Sequence, residues 1–385
     1  MSKSPTSVVI LGGGIGGVVA AREVRSAVPA DTRVILVDRQ PIQSFPPSYT
    51  WVMTGERQPA AISRDLRGLR RKAIEVVEGT ASAIDLAGHR VSGEGFEVAF
   101  DYLVVALGAE LAPEAVPGLA GEAFSYYRLA DAERLRAELE TFNGGKVALL
   151  IPSLPYKCPA APYEGAMLLD ALFRKRGIRN RVELSLSTPE PQPLPVAGPM
   201  LGQAVVSMLG QKEIAYHPQR KTTEIDRAAR EIVFEDGARE AYDLLIAVPP
   251  HRPPAIVRES PIAGPAGWAK VDKGLLLTDA PRVYAIGDVT AIPLFDGMML
   301  PKAGVFAHAE AHIVAHNIAA EIRGDNERSR FDGHGYCFLE VGGGKAGSAD
   351  GDFYAQPRQV AMKDPTRMRR LGKMLFERWW LWKWY

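Results

Sequence analysis

A glycine-rich turn between a short apolar strand and a helix is the feature that most restricts the fold of this chain. Ser7–Leu11 is a β-branched and apolar run, typical of a buried parallel strand, and it runs directly into the sequence GGGIGG at 12–17. Gly12 permits a tight turn, Gly14 lets the main chain approach a pyrophosphate, and Gly17 lets strand and helix pack closely. Because the helix N-terminus then faces phosphate charge, the segment predicts a dinucleotide-binding α/β fold.

Three further segments extend this prediction. A second strand at 33–37 ends in Asp38, at about the ~20-residue spacing expected for an acid that binds a ribose hydroxyl. Residues 101–109 resemble the strand by which flavoproteins with two dinucleotide domains return to the FAD domain. Residues 278–288 resemble the final FAD motif of those proteins, which ends in Gly287-Asp288. Three matches in this order predict FAD, since the glycine turn alone does not distinguish FAD from NAD.

Length and composition exclude other classes of protein. At 385 residues the chain is long enough for two domains and an appendage, and 46% hydrophobic with 24% charged residues is ordinary for a globular protein. A net charge of +1 gives no general attraction for nucleic acid, so no nucleic-acid partner is expected. The N-terminal residues lack the apolar core and cleavage site of a signal peptide, and no apolar run approaches the ~20 residues of a membrane span.

The middle of the chain has a strand without a second glycine turn. In relatives that take electrons from NADH, a second glycine fingerprint follows a strand near this point. Here the strand at 146–151 is followed by a proline-rich stretch at 152–165 and a helix at 166–175. Prolines and bulky side chains do not form the turn that a pyrophosphate requires. We therefore expect a second dinucleotide-like domain without a nucleotide site, in which Cys158 lies where the phosphates would be.

The chain contains two cysteines, Cys158 and Cys337. The adjacent Lys157 and the nearby helix N-terminus are expected to favour the thiolate of Cys158 and to make it reactive. The alternative is two unrelated buried thiols. Glu164 is a candidate for moving protons at this site, and its alternative role is that of a first-turn acid that complements the helix dipole.

The residues around Cys158 carry a family resemblance. The run KCPAAPYE at 157–164 resembles the cysteine motif of sulfide:quinone oxidoreductases and of the flavoprotein subunit of flavocytochrome c sulfide dehydrogenases. Residues 45–52 are similar to the family's stretch after the second strand, and 335–338 match the position of its second redox cysteine. Residues 300–305 resemble the segment that places a lysine, here Lys302, beside the flavin pyrimidine ring. The resemblance covers essentially the whole chain, and 157–164 is its specific part.

The resemblance implies a mechanism. Cys158 and Cys337 would flank the flavin as a disulfide or a sulfur-bridged pair, which hydrosulfide attacks by thiol–disulfide exchange. The freed cysteine passes two electrons to the flavin, and sulfur leaves as polysulfide or zero-valent sulfur. Lys302 would stabilise negative charge on the flavin, the alternative being a solvated surface lysine. Residues 125–128 hold no third cysteine, although many family members have one near this point, which implies a two-cysteine subtype.

The predicted site residues follow from these motifs. The predicted catalytic residues are Cys158, Cys337, Glu164 and Lys302. The predicted cofactor-binding residues are Gly12, Gly14, Gly17, Asp38, Arg39, Ala81, Gly108, Gly287, Asp288, Lys302 and Gly304. No metal site is predicted, because the histidines that recur on one helix face lack an accompanying acid or thiolate and are interpreted as packing or surface residues: His308, His312 and His316.

The sequence also predicts how the chain is divided. The predicted fold is α/β, with two Rossmann-like domains and a C-terminal amphipathic segment that associates with a membrane. An FAD-binding domain is expected at 1–111 and 250–325, and a second dinucleotide-like domain without a nucleotide site at 112–249. The remaining region, 326–385, is expected to carry the second redox cysteine and the membrane attachment.

The C-terminal tail differs in composition from the rest of the chain. Residues 363–385 hold seven basic and two acidic side chains and four of the six tryptophans. Wound as a helix, the tail collects an apolar stripe on one side: Met368, Leu371, Leu375, Trp379 and Trp382. Basic residues beside tryptophan suit a bilayer interface, the alternative being aromatic packing on the protein itself or on a dimer partner.

The expected activity is that of a sulfide:quinone oxidoreductase, peripheral at the cell membrane and without an export signal. Its expected partners are sulfide, a membrane quinone and the membrane surface, with a homo-oligomer left open. Three alternatives remain: a sulfide dehydrogenase that feeds a cytochrome, a type II NADH:quinone oxidoreductase, and a non-enzymatic flavin redox sensor.

Overall fold

Apolar β-branched runs form the central strands, and helices with one apolar face connect them. The computed structural model describes residues 5–385. Its α-helices are α1 (Ile15–Ala27), α2 (Tyr49–Met53), α3 (Leu129–Thr141), α4 (Ala161–Lys175), α5 (Pro199–Gly210), α6 (Ala255–Arg258), α7 (Gly304–Arg323) and α8 (Arg367–Trp384). Its strands are β1 (Ser7–Leu11), β2 (Arg33–Asp38), β3 (Ile42–Ser44), β4 (Ser63–Asp65), β5 (Glu75–Glu78), β6 (Ala81–Asp85), β7 (Arg90–Gly93), β8 (Phe96–Ala99), β9 (Tyr102–Val105), β10 (Glu110–Leu111), β11 (Gly145–Leu150), β12 (Val182–Ser187), β13 (Ile214–His217), β14 (Thr222–Asp226), β15 (Glu231–Phe234), β16 (Arg239–Ala241), β17 (Leu244–Ala247), β18 (His251–Arg252), β19 (Val283–Ala285), β20 (His334–Gly342), β21 (Lys345–Asp352) and β22 (Gln359–Thr366).

The first sheet joins residues from both ends of the chain. It has five parallel strands in the order β19-β9-β1-β2-β5. Every residue of β1 is buried, as its apolar run predicts, and α1 packs against α7 beside the sheet. The antiparallel ribbon β6-β7-β8 lies between β5 and β9 in the chain. The predicted strand at Ser7–Leu11 and the predicted return of the chain to this sheet are both confirmed.

The second sheet repeats the parallel arrangement. Its four strands have the order β13-β12-β11-β17, with a separate antiparallel ribbon of β14, β15 and β16. The helix that follows β11 begins at Ala161, earlier than the predicted start at 166. Pro162 lies in its first turn, where a missing main-chain N–H has no cost, so the proline-rich stretch starts the helix early.

The C-terminal region forms an antiparallel sheet that the sequence did not predict. Strands β20, β21 and β22 pair in this order, and helix α8 packs on β21. Strand β20 packs against α4, the helix that follows Cys158. The tail and the second cysteine are therefore folded onto the middle of the chain. Among the helices of residues 5–385, none has the length and hydrophobicity needed to cross a bilayer.

Candidate active site

The glycine turn after β1 has the shape that the sequence predicts. Gly12 has a positive φ of 99°, and a Cβ on Gly17 would lie 1.7 Å from the carbonyl oxygen of Gly12. A side chain at either position would therefore prevent the close crossing of β1 and α1. A Cβ on Gly14 would meet no atom within 4 Å, so this main chain faces open space. The N–H of Gly13 donates to Asp38 Oδ2 at 2.5 Å, which fixes the acid beside the turn.

The Gly287-Asp288 turn lies at the end of β19 in the same sheet. Gly287 has a positive φ of 74°, and its N–H donates to Glu310 Oε2 at 2.6 Å. Burial and the charge of Asp288 raise the pKa of Glu310 to about 7, against the effect of the Gly287 hydrogen bond. The buried Oδ1 of Asp288 has no hydrogen-bond partner within residues 5–385. A buried acceptor of this kind suits the hydroxyl groups of FAD, and with the open glycine main chain it shows that the residues fit this cofactor.

The remaining predicted FAD residues surround these two turns. Gly108 has a positive φ of 66° and open space where a side chain would be. Arg39 is exposed beyond β2. Burial raises the pKa of Asp38, and the positive charge of Arg39 opposes this shift. Ala81 begins β6 and is half-buried. A Cβ on Gly304 would lie 2.6 Å from Ile15 Cδ1, so the first turns of α7 and α1 are in contact.

Lys302 is buried, and the alternative of a solvated surface lysine is wrong. Its side chain is 9% exposed, and its Nζ donates to the carbonyl oxygens of Asp288 at 2.7 Å and Thr290 at 2.8 Å. The same Nζ lies 3.5 Å from the centroid of the Trp268 ring. Burial lowers the pKa of Lys302 to about 8, although Asp288 and Glu310 oppose the shift.

A cavity of about 820 Å³ joins the predicted catalytic residues. Cys158, Cys337, Glu164 and Lys302 all lie in its wall. Much of the remaining wall is apolar and comes from residues 45–51, 194–201, 298–306 and 335–362. A large apolar cavity with a few polar groups is the usual form of a small-molecule site.

The Cys158 segment is held in a strained conformation. Cys158 has a positive φ of 53°, which is uncommon for a residue with a side chain, and its N–H donates to the carbonyl oxygen of Lys302 at 2.6 Å. The lysine segment of the FAD half and the cysteine segment of the middle domain are thus bonded directly. Backbone strain of this kind is typical of functional sites.

Both cysteines are free thiols in the structure, so the expected sulfur bridge is not formed in it. Both sulfurs open onto the cavity, yet surrounding protein raises the pKa of each thiol to about 12, with a further contribution from Glu164. The expectation that Lys157 and the helix N-terminus hold Cys158 as a thiolate is therefore wrong. Burial lowers the pKa of Lys157, and the charge of Asp288 opposes this shift.

Glu164 lies in the first turn of α4, where an acid complements the helix dipole. It is also part of a buried ionic cluster. It is 5% exposed, and its Oε1 accepts the N–H of Glu340 at 2.7 Å and a bond from Lys373 Nζ at 3.3 Å. Glu340 is fully buried on β20, and its side chain lies 3.8 Å from Lys373 Nζ and 3.5 Å from Arg370. The cluster joins α4, β20 and the tail helix at the cavity wall.

The tail helix α8 has two distinct faces. The apolar stripe predicted from the sequence is exposed: Met368 at 77%, Leu371 at 48%, Leu375 at 56%, Trp379 at 41% and Trp382 at 78%. A second stripe is buried against the protein: Lys373, Glu377, Trp380 and Trp384. Ser48 Oγ donates to Glu377 Oε1 at 2.8 Å, and Arg57 pairs with the same carboxylate. The buried face thus packs on the protein itself, as one interpretation of the tail expects, and the apolar stripe on the other face is exposed.

Sequence reasoning missed the buried stripe of α8, including Lys373 and Glu377. The signal was present, because 373, 377, 380 and 384 recur at the three- and four-residue spacing of one helix face. The stripe was hidden because its first two members are charged, and charged residues are almost never fully buried unless paired. Glu340 on β20 left no such signal.

The histidines of α7 pack against the tail. The Nε1–H of Trp380 lies 3.3 Å from His308 Nδ1, and the Trp384 ring lies against His308 and His312. Among the described residues no cluster of His, Cys, Asp or Glu has the arrangement of a metal site. The interpretation of His308 and His312 as packing residues agrees with these contacts.

A buried acid follows β12 at the place equivalent to Asp38 in the first domain. Glu190 is 3% exposed, and its Oε2 accepts the hydroxyl groups of Tyr163 at 2.6 Å and Tyr156 at 3.0 Å. Burial raises the pKa of Glu190, and the tyrosine hydrogen bonds oppose the shift. The two tyrosine hydroxyl groups thus fill hydrogen-bonding positions on the Glu190 carboxylate.

Comparisons with known proteins agree with this geometry. Residues 6–150 match the pyridine nucleotide-disulphide oxidoreductase family, and residues 132–249 match the central region of the flavoprotein chain of flavocytochrome c sulfide dehydrogenase. The mitochondrial sulfide:quinone oxidoreductase of Mus musculus is 25% identical over 96% of this chain and 83% of its own. The sulfide-quinone reductase of Aquifex aeolicus (strain VF5) is 26% identical over 98% of this chain and 90% of its own.

A solved structure extends the agreement to three dimensions. The X-ray structure of the Aquifex aeolicus sulfide:quinone oxidoreductase superposes with a TM-score of 0.88 at 25% identity, covering 98% of this chain and 91% of the other. The match spans the FAD half, the middle domain and the C-terminal region together. With the two family matches and the near-full-length relatives, it shows that this chain resembles sulfide:quinone oxidoreductases in sequence and in fold over nearly its whole length.

Proposed function

We propose that the protein is an FAD-dependent sulfide:quinone oxidoreductase that oxidises sulfide through Cys158 and Cys337 and passes the electrons to quinone. The observation that carries the proposal is the single cavity whose wall contains both thiols, Glu164 and Lys302. Overall, H₂S and quinone give zero-valent sulfur and quinol, with two electrons and two protons transferred. The sulfide:quinone relatives from mouse and Aquifex support the same substrates.

The residues that would hold FAD come from both ends of the chain. The main chain at Gly12 and Gly14 is open to a pyrophosphate, and Asp38 and Asp288 offer carboxylate oxygens to hydroxyl groups. Lys302 adds a buried positive charge beside Asp288. We place the FAD-binding domain at 1–111 and 250–325, the second dinucleotide-like domain at 112–249 and the C-terminal region at 326–385.

The thiols carry the sulfur chemistry. When Cys158 and Cys337 are joined as a disulfide, hydrosulfide attacks one sulfur: a new S–S bond forms, the Cys–Cys bond breaks, and one cysteine leaves as thiolate. Glu164 lies in the same wall and is placed to accept the proton that sulfide loses. Oxidation of the persulfide and the thiolate by two electrons restores the bridge and releases the added sulfur in zero-valent form with a proton. Bound FAD would supply the acceptor for these two electrons and the donor for quinone.

The tail supports a membrane acceptor. The exposed stripe of α8 places Trp382 and Met368 in solvent, and other tail residues, including Phe376 and Trp380, line the cavity. Such a helix suits the plane of a bilayer interface, where quinone is dissolved. We propose peripheral attachment at the cell membrane through this stripe.

An anaerobic titration with sulfide tests the proposal. Flavin absorbance near its visible maximum should be bleached by sulfide in the wild type and recover on addition of a quinone analogue. In the variant Cys158→Ala, bleaching should slow by at least about 10³-fold, because the disulfide that hydrosulfide attacks can no longer form. A wild-type flavin that stays oxidised, or a variant reduced equally fast, would sink the proposal. NADH added instead of sulfide should leave the flavin oxidised, and rapid bleaching by NADH would favour an NADH:quinone oxidoreductase.

Membrane attachment is tested with two tryptophans of the same helix. Replacing the exposed Trp382 by Ala should weaken binding to anionic phospholipid vesicles and leave the melting temperature unchanged. Trp380, which is 2% exposed, is the matched control, because its replacement by Ala should cost about 3–5 kcal/mol of stability. Equal vesicle binding by wild type and Trp382→Ala would contradict attachment through this stripe.

A further inference from the structure

Lys373 lies beside the redox cysteines although it belongs to the C-terminal tail. Its side chain is 6% exposed, and it shares the cavity wall with Cys158 and Cys337. Its Nζ contacts Glu164 Oε1 at 3.3 Å and lies 5.0 Å from the centroid of the Trp51 ring. A lysine at this depth is rare unless its charge is paired or used.

The charges around the thiols oppose each other. Glu164 raises the pKa of both cysteines, and Lys373 is the cation that lowers both. The other lysine of the cavity wall, Lys302, donates to the carbonyl oxygens of Asp288 and Thr290 and is not among the main influences on either thiol. The thiols therefore depend on the tail for the positive charge that a thiolate needs.

Three elements contribute a charged group around Lys373, and α2 contributes the neutral ring of Trp51. Helix α4 contributes Glu164, β20 contributes the fully buried Glu340, and α8 itself contributes Arg370. Arg370 is also paired with Glu56. The ion pairs with Glu164 and Glu340 hold the Lys373 side chain in the cavity wall.

We propose that Lys373 is a positioning residue that stabilises the thiolate of whichever cysteine sulfide releases. The inference rests on the proposed function, since it gives the tail a role in the sulfide half of that reaction. The cysteine that leaves the disulfide carries a negative charge on sulfur, and the ammonium group of Lys373 offsets it. The helix whose outer stripe faces the membrane would thus also control the reactivity of the thiols.

Thiol alkylation across a pH series tests this role in the reduced, anaerobic holoenzyme. Iodoacetamide forms a C–S bond with the thiolate and releases iodide, and the chain has two cysteines, so every adduct counted by mass spectrometry reports on this site. In Lys373→Met the alkylation profile should move to higher pH. Each unit of that shift lowers the rate at fixed pH about tenfold. Lys373→Arg should retain a profile close to that of the wild type.

Two further variants separate charge from folding. Arg378, exposed on the same helix, gives the control Arg378→Met, whose profile should not move. If Lys373→Met does not fold, the double variant Lys373→Met/Glu340→Gln removes one opposing pair and should still show the shift, because Glu340 is not among the main influences on either thiol. A wild-type profile in the folded variant would overturn the inference. If Cys158→Ala then still blocks reduction of the flavin by sulfide, the proposed function would stand without the inference on Lys373.

Discussion

The chain builds the same strand–turn–helix–strand unit twice and uses it for two purposes. In the first unit, β1, α1 and β2 leave an open glycine turn, and Asp38 is held by the main-chain N–H of Gly13. In the second, made of β11, α4 and β12, the turn after the first strand is rich in proline, and Glu190 is held by tyrosine hydroxyls. The parallel pairing of the strands is the same in both.

The difference shows what a turn needs in order to bind a nucleotide. Main-chain N–H groups that face open space donate hydrogen bonds to phosphate oxygens, and only glycine provides both the conformation and the room. In the second unit a proline-rich stretch replaces the glycines, and Tyr156 and Tyr163 bond to the acid that follows β12. Its strained turn instead presents Cys158, at a φ of 53°, to the cavity. A turn that in one unit holds a cofactor holds a nucleophile in the other.

The largest expected effect comes from closing the first turn. Gly17→Ala places a Cβ 1.7 Å from the Gly12 carbonyl oxygen, so β1 and α1 must separate. We expect a loss of about 3 kcal/mol or more in the free energy of unfolding, at the upper end of the cost of overpacking, and protein purified without flavin. The ratio of flavin to protein absorbance and a urea titration measure both effects.

The matched substitution is Gly210→Ala at the end of α5. A Cβ at Gly210 meets no atom within 4 Å, so this variant should keep its flavin and gain up to about 1 kcal/mol from higher helix propensity. Full flavin content in Gly17→Ala would contradict the assignment of the first turn as the phosphate site.

The first unit was predictable from the sequence because its signals are local. The strand at Ser7–Leu11, the glycine turn and Asp38 occur within one short stretch, and each residue type has a direct conformational reason. The position of Lys302 was also predicted, although only the structure shows its bonds to two buried carbonyl oxygens. Local pattern therefore located the cofactor side of the site.

The sulfur side was predictable only in part. Cys158, Cys337 and Glu164 were identified through family resemblance, but the effect of their surroundings on the thiols was predicted with the wrong sign. That effect depends on burial, on Glu164 and on Lys373, and Lys373 reaches the cavity only because α8 packs on β21. Contacts between segments so distant in the chain leave no periodic signal in either one.

The second unit is tested by removing one of the hydroxyl groups that hold Glu190. Tyr163→Phe deletes the 2.6 Å bond to Glu190, and we expect a loss of about 1.5–3 kcal/mol, since the acceptor is an acid. Burial raises the pKa of Glu190 and this bond lowers it, so the variant's acid has a still higher pKa. The loss of stability affects the folded protein in which Glu190 is ionised. It should therefore be small at low pH, where Glu190 is protonated in the folded and unfolded chain, and grow as pH rises.

Thermal unfolding of wild type and Tyr163→Phe at about pH 5 and about pH 8 measures this trend. Tyr127→Phe is the control, because the buried Tyr127 hydroxyl has no hydrogen-bond partner in the described part of the chain. A difference between wild type and Tyr163→Phe that is constant with pH would mean that Glu190 does not depend on the tyrosine, and the contrast between the two units would lose its electrostatic basis.

The smallest expected effect concerns the acid of the first unit. Asp38 Oδ1 accepts the side chain of Gln43 at 3.0 Å and the main-chain N–H of Gln40 at 2.7 Å. Gln43→Leu removes the first bond and should cost about 0.5–1.5 kcal/mol at neutral pH, less at low pH because the pKa of Asp38 is already raised by burial. Gln40→Leu keeps its main-chain donor and should cost nothing. Because main-chain donors continue to hold Asp38 in both variants, flavin content should stay full. If Gln43→Leu instead lost as much stability as Tyr163→Phe, the acid of the first unit would also depend on side chains, and the two units would differ only in the room at their turns.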